Sequence, residues 1–208
     1  MMFEELKQDK IVFIDNYVRS LIMLFANLRK IKNEMEMLLE NVNDRDGAFE
    51  QGLLALLRNL ASEFYSSCEI VNQMIRTLYR EKYRGCEICN GFSSNFKLVY
   101  NYNVKKEKPK NKVYEDKLLL KFYSQAENWY VVLHDIRTQE THYYTGKVYF
   151  KEGKVYYKND NRNGISKTLY MNPDKEIDIS ICSILNLLNE FLKTETEICE
   201  IICQSTST

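Results

Sequence analysis

Two long runs of apolar residues at helical spacing, joined by the short turn NVNDRDG, constrain this chain more than any other feature. The first run, from about 3 to 42, spaces Leu6, Val12, Phe13, Tyr17, Leu21, Leu24, Phe25, Leu28, Ile31, Met35, Leu38 and Leu39 as one amphipathic helix. The second, from about 47 to 82, does the same with Phe49, Leu53, Leu56, Leu57, Leu60, Phe64, Val71, Ile75 and Leu78. Asn, Asp and Gly in the turn favour non-helical backbone. A connection this short predicts an antiparallel hairpin of the two helices. With only 2 prolines and 7 glycines in 208 residues, long regular elements are expected throughout.

The sequence GCEICNG breaks the chain at 85–91, and SSNFKLVYNYN reads as a short helix capped by Ser93 or Ser94. A polar linker, VKKEKPKNK, follows. A further helix is expected from about 113 to 145, striped by Leu119, Phe122, Ala126, Trp129, Tyr130, Leu133 and Ile136. Composition then changes. KVYFKEGKVYYKND alternates around Glu152-Gly153 as a β-hairpin, with Gly153 at a bulge position, and KTLYM is a candidate third strand. A final helix is expected from about 174 to 203, with Asn172 as cap, Pro173 at the first helical position, and Ile177, Ile181, Ile184, Leu185, Leu188, Leu192, Ile198 and Ile202 as its stripe. The prediction is a mainly α protein, 1–208 as a single domain. It is an antiparallel helical bundle with a small β-hairpin or three-strand insertion at about 147–171, before the C-terminal helix.

The totals exclude some functions. At 45% apolar the chain can bury a core. A formal net charge of +0 gives no global field for nucleic acid or acidic lipid, although a local basic groove stays possible. Asp15, Arg19 and Glu190 interrupt the apolar stretches, so no membrane span is expected, and MMFEELKQDK has no signal-peptide character. The expected location is the cytoplasm, with the six cysteines reduced.

The stretch NWYVVLHDIRTQETHYYTG holds both histidines of the chain, His134 and His142, on either side of Arg137. On a regular helix Arg137 falls about 40° from Leu133, inside the apolar stripe, where a guanidinium is costly unless it pairs or serves. One reading pairs Arg137 with Glu140 or with an acid elsewhere. The other makes it functional. His142 lies about 140° from Arg137 on an ideal helix. The two converge only where the helix ends, bends or carries a π-bulge. Without a role, His142 is a last-turn histidine suited to the helix dipole. His134 is either a flanking residue or an accessory to Arg137.

The run WYVVLHDIRTQETHYY resembles the signature of the HEPN superfamily, all-helical domains with an R-x4-6-H motif at the end of a core helix. Arg137-Thr-Gln-Glu-Thr-His142 supplies the motif, and Tyr144 extends it to R-x4-H-x-Y. The two long helices and the SSNF helix also resemble the family layout, over most of 1–145. Thr138 departs from the Asn, Asp or His usual after the arginine. The resemblance implies a metal-independent endoribonuclease of toxin or abortive-infection type, acting as a homodimer whose two Arg137–His142 motifs form one cleft. It implies Arg137 and His142 as catalytic residues and draws Tyr144 into the motif; Thr138, Glu140 and His134, close to Arg137 on the helix, are accessory candidates by position. Products would carry a 2′,3′-cyclic phosphate and a 5′-hydroxyl, with no metal or cofactor and with an antitoxin or defence protein as a further partner. An imidazole that titrates near neutrality and a guanidinium that grips phosphate suit that chemistry.

Other features carry two readings each. Lys105, Lys106, Lys108, Lys110 and Lys112 form either a solvated loop or a weak RNA contact. Cys86, Cys89, Cys199 and Cys203 are either core and loop cysteines or a four-thiolate zinc site. Tyr149, Tyr156 and Tyr157 either pack on the bundle or stack bases. The competing functions are a non-catalytic HEPN-like scaffold binding a protein partner, and a structural helical protein with an accidental motif.

Overall fold

A computed structural model describes residues 2–40, 47–79, 88–106, 115–142, 146–159 and 177–206, without the side chains of 2–11, 105, 139, 141, 142, 159 and 204–206. The chain is mainly helical, with a small three-stranded antiparallel sheet before its C-terminal helices. The helices are α1 (Met2–Glu40), α2 (Gly47–Tyr79), α3 (Phe92–Lys105), α4 (Lys117–Gln125), α5 (Tyr130–His142), α6 (Ile181–Lys193) and α7 (Glu195–Thr206). The strands are β1 (Gly146–Lys151), β2 (Lys154–Asn159) and β3 (Ile177–Ser180), ordered β1-β2-β3. The chain divides into two compact units, one of Met1–Phe25, Ser66–Glu127 and Leu192–Thr208, the other of Ala26–Tyr65 and Asn128–Phe191.

In the second unit α1 and α2 run antiparallel. Asn27 Nδ2 donates to Glu63 Oε2 at one end, and Leu38 lies beside Gly52 at the other. The core of this unit is aromatic. The Phe64 ring meets the Trp129 ring edge-on at 5.8 Å and the Phe191 ring at 5.0 Å, while Phe49 packs on Phe150 of β1. In the first unit α3 packs on α4, and α4 on α7. Phe92 contacts the rings of Phe122 and Tyr123 there.

Four boundaries differ from the expectation. Helix α3 begins at Phe92 with Gly91 as N-cap and no side-chain cap, so Ser93 and Ser94 lie inside the helix. Its first amide donates instead to Glu69 Oε1 of α2, at 3.3 Å. The helix expected at about 113–145 is two helices. Asp116 Oδ1 caps α4 by accepting from Leu118 and Leu119 amides, and a 3-10 turn at Ala126–Asn128 separates α4 from α5. That turn lies where the chain passes from one unit to the other. It lets Trp129 and Tyr130, neighbours in sequence, both be fully buried.

The helix expected at about 174–203 begins as strand β3, then forms α6 and α7 on either side of Thr194. Ile177-Asp178-Ile179-Ser180 alternates apolar and polar, so the period of two prevails over the helical spacing of its isoleucines. Ser180 then caps α6 by accepting from the Ser183 amide. The candidate strand KTLYM and the cap residues Asn172 and Pro173 lie outside the described residues, as does the turn at 41–46.

The hairpin turn has two residues and no bulge, because Lys151 pairs directly with Lys154. Glu152 and Gly153 both have positive φ, 51° and 75°, as a primed hairpin turn requires. Glycine adopts this backbone without cost, whereas glutamate is strained in it. Glu152→Asn should therefore raise the unfolding free energy by about 0.5–1 kcal/mol. Urea denaturation checks this, and an unchanged or lower midpoint would refute it.

Candidate functional site

Helix α5 positions the motif. Tyr130, Leu133 and Ile136 are buried on it, as expected from their spacing, but Asp135 and Glu140 are buried too. The helix is α-helical to its last residue, His142, with no π-bulge between Arg137 and His142. Positions 137 and 142 are therefore about 140° apart around the helix axis. The His142 side chain and the whole of Tyr144 lie outside the described residues.

Arg137 is half-buried, and its guanidinium carbon sits 4.0 Å from the centre of the Tyr65 ring. The Tyr65 ring also flanks His134, at 6.3 Å, and Tyr130 lies 5.1 Å from the same imidazole. His134 and Arg137, on one helical face, thus both lie against Tyr65 of α2, with Tyr130 on the other flank of His134. A guanidinium over an aromatic face is attracted by the ring's negative quadrupole.

The suggested pairing of Arg137 with Glu140 does not occur. Glu140 is 1% exposed, and its two oxygens have other partners. Arg58 Nε of α2 donates to Oε2 at 2.8 Å, and Tyr157 Oη of β2 donates to Oε1 at 2.7 Å. Burial, and then the Glu140 charge, push the Tyr157 hydroxyl far above its ordinary pKa, which keeps it a donor. Glu140 is a structural anchor for the end of α5. Tyr157 is correspondingly buried, so of the hairpin tyrosines only Tyr149 and Tyr156 reach the surface. Thr138 turns its hydroxyl back onto the His134 carbonyl, at 3.0 Å.

Asp135 was not foreseen. It is 2% exposed, and neither carboxylate oxygen has a hydrogen-bond partner among the described residues. His134 Nδ1, itself buried and without a hydrogen bond there, lies 3.9 Å away, too far for a bond. Burial raises the Asp135 pKa, and His134 opposes the rise. On an ideal helix Asp135 falls about 160° from Leu133 and so reads as a wet-face residue. No signal in the sequence marks it, because α5 is buried on more than one side.

The lysine run divides. Lys105 is the last residue of α3, Lys106 is exposed in the left-handed cap position with φ 58°, and Lys108, Lys110 and Lys112 lie outside the described residues, as does the side chain of Lys105. Of the cysteines considered for zinc, Cys199 and Cys203 are exposed on α7, Cys89 is half-buried, and Cys86 is outside the described residues. Among the described residues no group of three or more His, Cys, Asp or Glu could hold a metal ion. No described helix is long and apolar enough to cross a membrane.

Compared with known proteins, the chain matches no family model, no curated protein and no solved structure.

The buried carboxylate sets a pH test. The folded pKa of Asp135 is raised above the unfolded value of about 3.9, so the folded chain holds that proton more tightly. Its contribution to stability is present below the unfolded pKa and is lost as pH rises through the folded one. Asp135→Asn should therefore be more stable than the parent at pH 7, by about 1–3 kcal/mol, with the advantage shrinking in acid. Urea midpoints across a pH series check this. A pH-independent difference, or a less stable variant at neutral pH, would contradict it.

Proposed function

We propose that this chain is a metal-independent endoribonuclease of HEPN type, working in the cytoplasm as a toxin or in abortive-infection defence. The observation that carries the reading is the setting of Arg137. The carboxylate one turn further along α5, Glu140, is held by Arg58 and Tyr157, while the Arg137 guanidinium lies against Tyr65 beside His134. A guanidinium set against an aromatic ring beside an imidazole is a group suited to phosphate recognition.

In this mechanism Arg137 grips the non-bridging phosphate oxygens and stabilises the charge that builds on the phosphorane. His142 removes the proton from the 2′-hydroxyl, and a second imidazole returns one to the leaving 5′-oxygen. One imidazole cannot easily make both proton transfers, and that is why the reading includes a homodimer. His134 stands ready as an accessory, and Tyr144 follows the motif as a candidate site of control by an antitoxin or defence partner.

A second reading, a non-catalytic HEPN-like scaffold for a protein partner, has Thr138 in its favour. Its hydroxyl is committed to the His134 carbonyl and so is not donated toward a substrate.

Incubation with RNA in EDTA separates the two. The nuclease reading predicts cleavage to 2′,3′-cyclic phosphate and 5′-hydroxyl ends. Arg137→Ala and His142→Ala should each lower the rate by about 10²-fold or more while the helical CD spectrum is unchanged. Absence of cleavage by the dimeric parent protein would favour the scaffold.

A further inference from the structure

The solvent face of the β-sheet carries a pattern that folding does not explain. The strand register sets Lys147 opposite Lys158, Tyr149 opposite Tyr156, and Lys151 opposite Lys154. Residues directly opposite in an antiparallel pair share a face, as do alternate residues along a strand. One face therefore presents a tyrosine pair between two lysine pairs. The other face carries Val148, Phe150, Val155 and Tyr157 to the core.

The tyrosine rings are stacked, 5.5 Å between centroids with 24° between planes. The Tyr149 hydroxyl donates to Asp178 of β3, which fixes that ring in place, and this bond is the largest cause of its pKa being pushed up to about 12. Both tyrosines are half-buried, whereas Lys147, Lys151 and Lys154 are exposed.

Like charges directly opposite one another destabilise a strand pair, and this face has two such pairs. Lysines on an edge strand guard against edge-to-edge association, which accounts for Lys147 and Lys151 on β1. It does not account for Lys154 and Lys158, because β2 is the central strand. Asp178 stands opposite Lys158, but β3 stops short of the Lys151–Lys154 row. Four lysines thus face Asp178, with Glu152 at the turn tip. Their row along β1, from Lys147 to Lys151, is about 14 Å long. A rigid aromatic pair between cations fits a ligand that alternates flat rings with negative charge.

We propose that this sheet face is a platform for single-stranded RNA, with Lys147, Lys151, Lys154 and Lys158 meeting phosphates and the Tyr149–Tyr156 pair stacking on bases. The choice of RNA over other single strands rests on the nuclease reading above. The charge and the stacking do not.

The test uses the intact protein and a short fluorescent 2′-O-methyl oligouridine, which lacks the attacking hydroxyl and so persists. Fluorescence anisotropy is measured between about 50 and 200 mM salt. The parent protein should bind, with affinity falling as salt rises. The triple variant Lys147→Gln, Lys151→Gln, Lys154→Gln should lose about 2 from the slope of log affinity against log salt, at about 0.7 per phosphate contact. The parent should also prefer the oligouridine over a base-free sugar-phosphate chain by about fivefold or more, and Tyr156→Leu should remove that preference.

All substituted side chains lie on the solvent face, and CD verifies that each variant is folded. No binding by the parent, an unchanged slope in the triple variant, or equal binding of the base-free chain would overturn the platform. Binding only to vesicles containing phosphatidylserine, lost in the triple variant, would overturn it in favour of a membrane surface. Cleavage of RNA with an unchanged slope would sink the platform and leave the nuclease reading standing. Binding as described, with unmodified RNA left intact by the protein in EDTA, would do the reverse.

Discussion

The end of the motif helix is held by one buried carboxylate. Glu140 is shielded from water, and a charge in that position is tolerable only when its oxygens are satisfied. Arg58 satisfies one from α2 and Tyr157 the other from the middle strand of the sheet. Gly146, the first residue of β1, packs so closely here that a Cβ would collide with both Glu140 and the Tyr157 ring. Helix α5, helix α2 and the sheet thus meet at one acid, and the same contact keeps that acid from Arg137. Arg137 lies instead on Tyr65, beside His134. The sheet whose outer face carries the lysines and tyrosines is anchored by the same hydroxyl.

Buried polar groups are satisfied at some places in the chain and not at others. In the first unit, Asn72 Oδ1 accepts from Asn95 Nδ2 and from the Tyr123 hydroxyl, while Asn72 Nδ2 donates to the carbonyls of Cys89 and Asn90. Asn95 Oδ1 in turn accepts from the Cys89 amide. This satisfied network ties the segment before α3 to α2 and serves structure. In the second unit the Asp135 carboxylate has no hydrogen bond among the described residues, and the His134 imidazole beside it is also unsatisfied at Nδ1. Both groups lie on the helix that carries Arg137.

Local periodicity was the legible part of the sequence. The spacing of Leu21, Phe25, Leu28, Ile31 and Met35 marks α1, and that of Leu53, Leu57, Leu60 and Phe64 marks α2. All nine are buried. The hairpin was visible in its alternation and its Glu-Gly turn. The errors arose where one pattern fits two periods, as with Ile177, Ile181 and Ile184, which suit a helix although the first belongs to a strand. The break at Ala126–Asn128 has no glycine or proline to announce it. In the site, Arg137 was legible because a cation in an apolar stripe stands out. Arg58 and Tyr65 were not, since each meets α5 from a distant part of the chain. The sheet's lysine and tyrosine rows needed the strand register, which a sequence does not print.

The most direct test is a double-mutant cycle on Glu140→Leu and Tyr157→Phe, read by urea unfolding. If the buried acid joins helix α5 to the sheet, the two changes should couple by about 1 kcal/mol or more, because either one alone strands the other's polar group. Effects that add to within about 0.5 kcal/mol would mean that Glu140 is not the joint on which this arrangement depends.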